Sequence, residues 1–389
     1  MIKPYIIIPN LIEQPTWGGE YITKYKQLKN EKLQNKKIGQ SYELYEHSNF
    51  SKKTSTENTP TIEFGVPNNP RISKTFGDGF PINIQELIDE DPAKTLGERA
   101  IKIHGEKMGV LIKFTQAKGN SYQLHAKKKS KNWQPKPESW YYLEPGLITL
   151  GVKKNINWND YQETCFKINN FAKELSSQIK SGLKKVDEAR NDLKDFISKH
   201  NPEKYVNLIE TKKEEAIDLS ECGVHHSWEE SGKYPQGNIV YEVQKNVYDP
   251  VSTIRSFDKG KIKDDGSIRA IQLDDYFKHI DKSEEANDFK THIVSPITIE
   301  KTNSFLVERL FINKNYILDK MVLSEEMSNN HTTTSKSFHH LFVKEGKIQI
   351  NSDQNQLTLT KGFSAFIPAS TGKYKIIPDE DTVILKTHL

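Results

Sequence analysis

The chain has 389 residues, enough for two or three domains and for more than one buried core. Its 56 Lys and Arg stand against 52 Asp and Glu, a formal net charge of +4 spread along the chain, which reads as a solvated surface and argues against a nucleic-acid binder. Cys165 and Cys222 are the only cysteines, which excludes a disulfide framework and a thiolate zinc cluster.

The opening stretch, MIKPYIIIPNLIEQ, is apolar only briefly before Pro9. It is too short for a membrane span and lacks the flanks of a signal peptide, so a soluble, cytoplasmic protein is expected. Short apolar pieces then alternate with turn signals such as Trp17–Gly18–Gly19. From Asn49 to about Gly79 the chain is polar and rich in Ser, Thr, Asn, Pro and Gly, which predicts a long surface loop. INIQELIDEDPAKTLGERAI predicts short helical turns around Pro92. Between Gly109 and Val152 the runs VLIKFTQ, SYQLH, SWYYLE and LITLGV predict strands, being short and rich in β-branched and aromatic residues.

From Asn155 to about His200 the period changes. Ile168, Phe171, Leu175 and Ile179, then Leu183, Val186, Leu193 and Ile197, recur at helical spacing. Gly182 divides two predicted helices, Pro202 follows the second, and the apolar stripe reads as a packing face. Strands resume at Glu215–Val247, and a further β region runs from about His292 to the end through SFLVERLFI, LFVKEGKIQI, QLTLT, FSAFIPA and TVILKTHL. Short strands with regular turns predict a sandwich or jelly roll.

The chemistry-bearing residues are scattered along this pattern. Gln123 and His125 sit in SYQLH, where an extended backbone puts both side chains on one face. Glu138 follows in PKPESWYYL, and His226 in ECGVHHSW. A carboxylate and two imidazoles suffice for a divalent metal that keeps open positions for substrate. Two His and one carboxylate also describe an Fe(II) triad, so an Fe(II) oxygenase stands as an alternative. Trp17 and Trp140 read as core or wall aromatics, and His339 and His340 lack a carboxylate and third ligand at matching spacing.

Taken together, the segments WGG, IGQSYEL (Ile38 to Leu44), LIKF (Leu111 to Phe114), YQLH, PKPESWYYL, GVHH, EVQKN, STIRSFD (Ser252 to Asp258) and FIPAS resemble, in order, the type I phosphomannose isomerases. These are metal-dependent cupin proteins. The resemblance implies zinc, or another divalent metal, held by Gln123, His125, Glu138 and His226. Gly223 points to His226 through a Gly-x-x-His pattern, with His225 as the alternative. Arg255 matches an arginine implicated in catalysis, Lys136 a lysine two residues before the metal-binding glutamate, and Glu242 the glutamate of a Glu-Ile-Gln segment. HAKKKS and VYDPVST depart from the family pattern and touch the substrate pocket more than the metal site.

The implied reaction moves a proton between C1 and C2 of a sugar phosphate through an enediolate, interconverting mannose 6-phosphate and fructose 6-phosphate. Arg255 suits a fixed cation, while Glu242, Lys136 and metal-bound water are candidates for the general base. Lys127, Lys128, Lys129 and Lys131 would supply phosphate affinity if their loop folds over the site; a solvated charge run is the other reading. The expected fold is mainly β, with two cupin-like jelly-roll barrels. Residues 1–154 with 215–290 form the metal-binding catalytic barrel, 155–214 a helical insertion, and 291–389 a companion barrel. The expected partner is a sugar phosphate, with no nucleic acid and no membrane, and the sequence carries no signal for an oligomeric state. A sugar-phosphate-binding cupin without turnover is the remaining alternative.

Overall fold

A computed structural model describes residues 3–58, 60–66, 69–77, 81–325, 329–332 and 336–389. Its organising element is the strand Val110–Ala117, all eight residues of which are buried. Val110, Ile112 and Phe114 point to one side, and Lys113, Thr115 and Ala117 to the other, as period two requires. It lies inside a nine-stranded sheet, hydrogen-bonded to Ile38–Leu44 on one flank and Asn238–Lys245 on the other. One face of this sheet meets a five-stranded sheet through Trp140, Tyr142, Val240, Ile148, Leu150 and Trp228. The opposite face meets a seven-stranded sheet of the C-terminal region, with Phe114 and Tyr241 against Phe342. That sheet in turn covers a four-stranded one through Val343, Leu341, Ile348, Ile350 and Ile376.

The chain is thus mainly β, two sandwiches sharing one apolar seam. Burial on both faces explains why the central strands read as near-continuous apolar runs. The aromatic contacts across the seam, such as the edge-on Phe114–Phe342 pair at 6.0 Å, are worth about 0.5–1.5 kcal/mol each beyond the area they bury.

The helices fall where spacing put them. Trp158–Lys180 starts at Asn157, whose side chain accepts from the Asn159 and Asp160 amides, and Val186–His200 follows beyond Gly182. Around Pro92 lie three short helices, Ile84–Glu90, Pro92–Leu96 and Glu98–His104, the second capped by Asp91. No helix among the described residues is long and apolar enough to cross a membrane.

Three expectations need correction. The segment 49–79 is not simply a loop: Ile62–Val66 and Asn69–Phe76 extend the nine-stranded sheet, the first parallel to Asn10–Glu13. They form the edge of the sheet, where few apolar anchors are needed, and residues 59, 67–68 and 78–80 lie outside the described set. Second, the helical insertion ends before 214, because Val206–Thr211 pairs with Gly146–Val152 as an edge strand; its outward Leu208 and Glu210 blur the alternation. Third, the boundaries are crossed twice. Tyr5–Ile6 pairs with Ser364–Ile367 in the C-terminal sandwich, and Ile293–Val294 pairs with Ala216–Asp218 in the first.

Candidate metal centre and substrate cleft

Two sheets bring the candidate ligands together. Tyr122–Leu124 and His226–Trp228 are neighbours in the five-stranded sheet, with His226 opposite Gln123, and His125 follows directly after the first of them. Glu138 opens the strand Glu138–Tyr142 of the nine-stranded sheet. In the space between, ligand atoms of His125, Glu138 and His226 lie within 4.8 Å of one another, all three residues buried. The Gln123 amide reaches the same place, with Nε2 3.4 Å from His226 Nε2.

Each imidazole is turned by its other nitrogen. His125 Nδ1 donates to the Ser252 carbonyl at 2.7 Å, and His226 Nδ1 to the Val224 carbonyl at 3.0 Å. Their Nε2 atoms therefore face Glu138, at 3.1 Å from Oε2 and 3.3 Å from Oε1. Burial pushes the His226 imidazole down to about 4, so at neutral pH its unprotonated Nε2 meets a carboxylate, acceptor against acceptor. Burial would raise the Glu138 carboxyl, but His125, with His226 and Lys136, more than offsets it and holds it far below the usual range. Two imidazoles, each turned by a backbone carbonyl, and a carboxylate converging on one point fit a cation held between them. A divalent ion such as zinc suits one carboxylate, two imidazoles and an amide.

His225 faces the other way, with Nδ1 2.5 Å from the Tyr276 hydroxyl and Nε2 2.9 Å from Thr149 Oγ1. Successive residues on extended backbone point to opposite faces, and of the pair only His226 turns to the cluster. Trp140 stands edge-on to the His226 ring at 5.5 Å, and Trp17 lines the cleft above.

That cleft, about 500 Å³, opens over the cluster and contains Lys113, Lys136, Glu242 and Arg255 in its walls. Glu242 is deep and fully engaged: Lys113 Nζ lies at 2.7 Å, and Thr115 Oγ1 and Gln244 Nε2 donate to it at 2.8 Å each. Burial would lower the Lys113 ammonium, but Glu242 and Asp249 outweigh burial and raise it, leaving a fixed cation. Lys136 Nζ sits 2.6 Å from Asp249 and 3.9 Å from Glu138. Arg255 donates Nη1 to the Thr253 carbonyl at 3.3 Å, its buried Nε has no partner, and no ion pair engages it among the described residues. Burial, then Arg269, lowers its pKa.

Three cleft residues escaped the sequence. Asp249 hangs from the short turn Asp249–Val251, inside the divergent VYDPVST segment. Lys261 and Arg269 come from KGKIKDDGSIRA, whose mixed charges look like any solvated loop. Conversely, Lys127, Lys128, Lys129 and Lys131 are exposed and lie outside the cleft walls, with Lys127 paired to Asp281. Of the two readings of this run, the solvated charge run is the one the fold bears out, and the cations facing the cleft come from elsewhere.

Comparison with known proteins bears on the fold. A family profile described as "Mannose-6-phosphate isomerase, cupin domain" matches residues 312–382. No curated protein matches in sequence. The chain is similar to the solved mannose 6-phosphate isomerase of Bacillus subtilis, with TM-score 0.66, 14% identity and 100% of both chains covered. It is similar to the Salmonella typhimurium mannose 6-phosphate isomerase bound to substrate (fructose 6-phosphate) and zinc, with TM-score 0.64, 14% identity and 99% of each chain covered. A zinc-bound mannose 6-phosphate isomerase gives TM-score 0.65 at the same identity and coverage. The two-sandwich fold with its helical segment is therefore that of these isomerases along the whole chain.

Proposed function

We propose that this chain is a metal-dependent aldose–ketose isomerase that interconverts mannose 6-phosphate and fructose 6-phosphate, with zinc as the metal. One observation carries the reading: three buried ligand groups converge beneath a cleft walled by cations, in a chain folded like mannose 6-phosphate isomerases. Gln123, His125, Glu138 and His226 would hold the ion, which as a Lewis acid would favour negative charge on the substrate oxygens.

The chain's own side chains account for the rest. Isomerisation removes the proton on C2 and returns one to C1, while negative charge develops on oxygen. Arg255, without an anionic partner and poor at losing its proton, suits the stabilisation of that charge. Lys136 and Asp249 form the pair best placed for proton movement, because the Asp249 carboxylate is open while all of Glu242's close donors are already bound. Glu242 then serves to fix Lys113. Lys261 and Arg269 make one end of the cleft cationic, suiting a phosphate dianion. Charged sugar phosphates do not diffuse through membranes, which agrees with a cytoplasmic enzyme.

The test is a coupled assay of zinc-loaded protein with mannose 6-phosphate, run with and without chelator. Turnover that chelator abolishes and zinc restores is expected. Protein with one metal per chain and no turnover would discard isomerase activity on this substrate and leave the sugar-phosphate-binding alternative.

A further inference from the structure

The two helices Trp158–Lys180 and Val186–His200 hold the segment that carries Lys261 and Arg269. Between Asp258 and Gln272 the chain makes a narrow loop closed by a bridge between Ile262 and Ile268. Both isoleucines sink into the helix pair among Leu175, Ile179, Ala189 and Leu193. Gly266 has φ of +74°, and a Cβ there would come 2.6 Å from Ile179, so the loop approaches the first helix as closely as a backbone can. Ser176 Oγ on that helix donates to the Gly266 carbonyl at 2.6 Å.

The second helix supplies a stronger tether. Arg190 donates Nε and Nη2 to the Ile262 carbonyl at 3.0 and 2.8 Å, and Nη2 also to Asp264 at 2.7 Å. A guanidinium fork on one carbonyl fixes direction as well as distance. Its neighbour along the chain, Lys261, faces the cleft and donates to the Gly119 carbonyl at 3.1 Å. At the far end of the loop the Gln272 amide donates to the Arg255 carbonyl at 2.9 Å, and Gln272 Oε1 accepts from the Arg255 amide at 3.2 Å.

We propose that Arg190 is a positioning residue: from the helical insertion it holds the 258–272 loop so that Lys261 and Arg269 stand in the cleft wall as the seat for the substrate's phosphate. The inference rests on the isomerase reading for its substrate, but phosphate binding can be measured without turnover. A cation displaced by an ångström loses much of its hold on a bound anion, while the reacting carbons at the metal end are unaffected. Arg190 thus governs affinity and leaves the chemical step alone.

The experiment compares wild type with Arg190→Gln, Arg190→Lys and Ser176→Ala, reading kcat and KM for mannose 6-phosphate and, by calorimetry, the Kd of inorganic phosphate. Arg190→Gln is expected to raise both KM and the phosphate Kd about tenfold with kcat unchanged, the equivalent of losing one charge-assisted contact. Arg190→Lys should recover part of the loss, and Ser176→Ala should show a smaller shift of the same kind. Unchanged KM and phosphate Kd in Arg190→Gln would overturn the proposal, as would a fall in kcat alone. Wild type that binds no phosphate would overturn it too. Wild type that binds phosphate but never isomerises would discard the isomerase reading only, and the Arg190 shift in phosphate Kd would then support the tether by itself.

Discussion

The two sandwiches share an architecture but differ in what they enclose. Between the sheets of the C-terminal one lie Phe305, Val307, Met321, Leu323, Leu341 and Val343, hydrocarbon against hydrocarbon. Between the sheets of the other lie Glu138, His125, His226 and Glu242. An apolar filling closes its sandwich by burial alone, whereas buried acceptors need a counter-charge. The first sandwich therefore gives up packing stability for chemistry, and the second, joined to it along the Phe114–Phe342 seam, supplies rigidity. The family profile matches residues 312–382, in the apolar sandwich.

This contrast can be broken most severely at Glu138, which spans both sheets' ligands. Glu138→Gln should lose bound metal and turnover together, by a factor on the order of 10³ or more, with little change in the C-terminal sandwich. Metal analysis beside kcat decides it; a metal-loaded, active variant would sink the proposed centre. Arg255→Ala should retain metal but lose roughly 10²–10³ in kcat, since it removes a charge stabiliser and no ligand. If metal content falls in parallel, Arg255 belongs to the structure of the cluster.

On the other side of the comparison, Leu341→Ala should cost about 2–5 kcal/mol of stability by leaving a cavity among hydrocarbons. It should leave metal content per folded chain intact, as denaturant unfolding and metal analysis would reveal. The smallest effect concerns acid. Burial would raise Asp319, but His388 and Arg309 more than offset it and bring it from 3.8 down to about 2. A carboxylate lowered on folding contributes stability above its unfolded pKa and loses it as the pH falls through the folded value. About 2 kcal/mol should therefore fade between roughly pH 4 and 2, and Asp319→Asn should remove that part of the pH dependence of the melting temperature.

What the sequence disclosed follows the same division. The cluster of candidate ligands was legible because strands impose period two and because Gln123, His125, Glu138 and His226 stand in a recognisable order. The helices were legible because an apolar stripe repeats at 3.6 residues and Gly182 interrupts it. Edge strands such as Asn69–Phe76 and Val206–Thr211 were not, because one side faces water and tolerates polar residues. Lys261 and Arg269 were hidden for another reason. Their role depends on a loop held against helices some eighty residues earlier in the chain, as the Arg190–Ile262 contact illustrates, and no local pattern records that. The run Lys127–Lys129 looked more suited to phosphate by composition, but composition does not say which way a loop turns.

The pairing of Tyr5 with Phe366 has a consequence in time. During synthesis Tyr5 emerges some 360 residues ahead of its partner. Until then Ile6 and Ile7, both buried in the finished protein, can pair with Phe50 and Ser51 but not with the strand that covers them. Closing a loop of that length is slow and leaves an apolar segment at risk of the wrong partners, so this segment is expected to be among the last to lock during refolding.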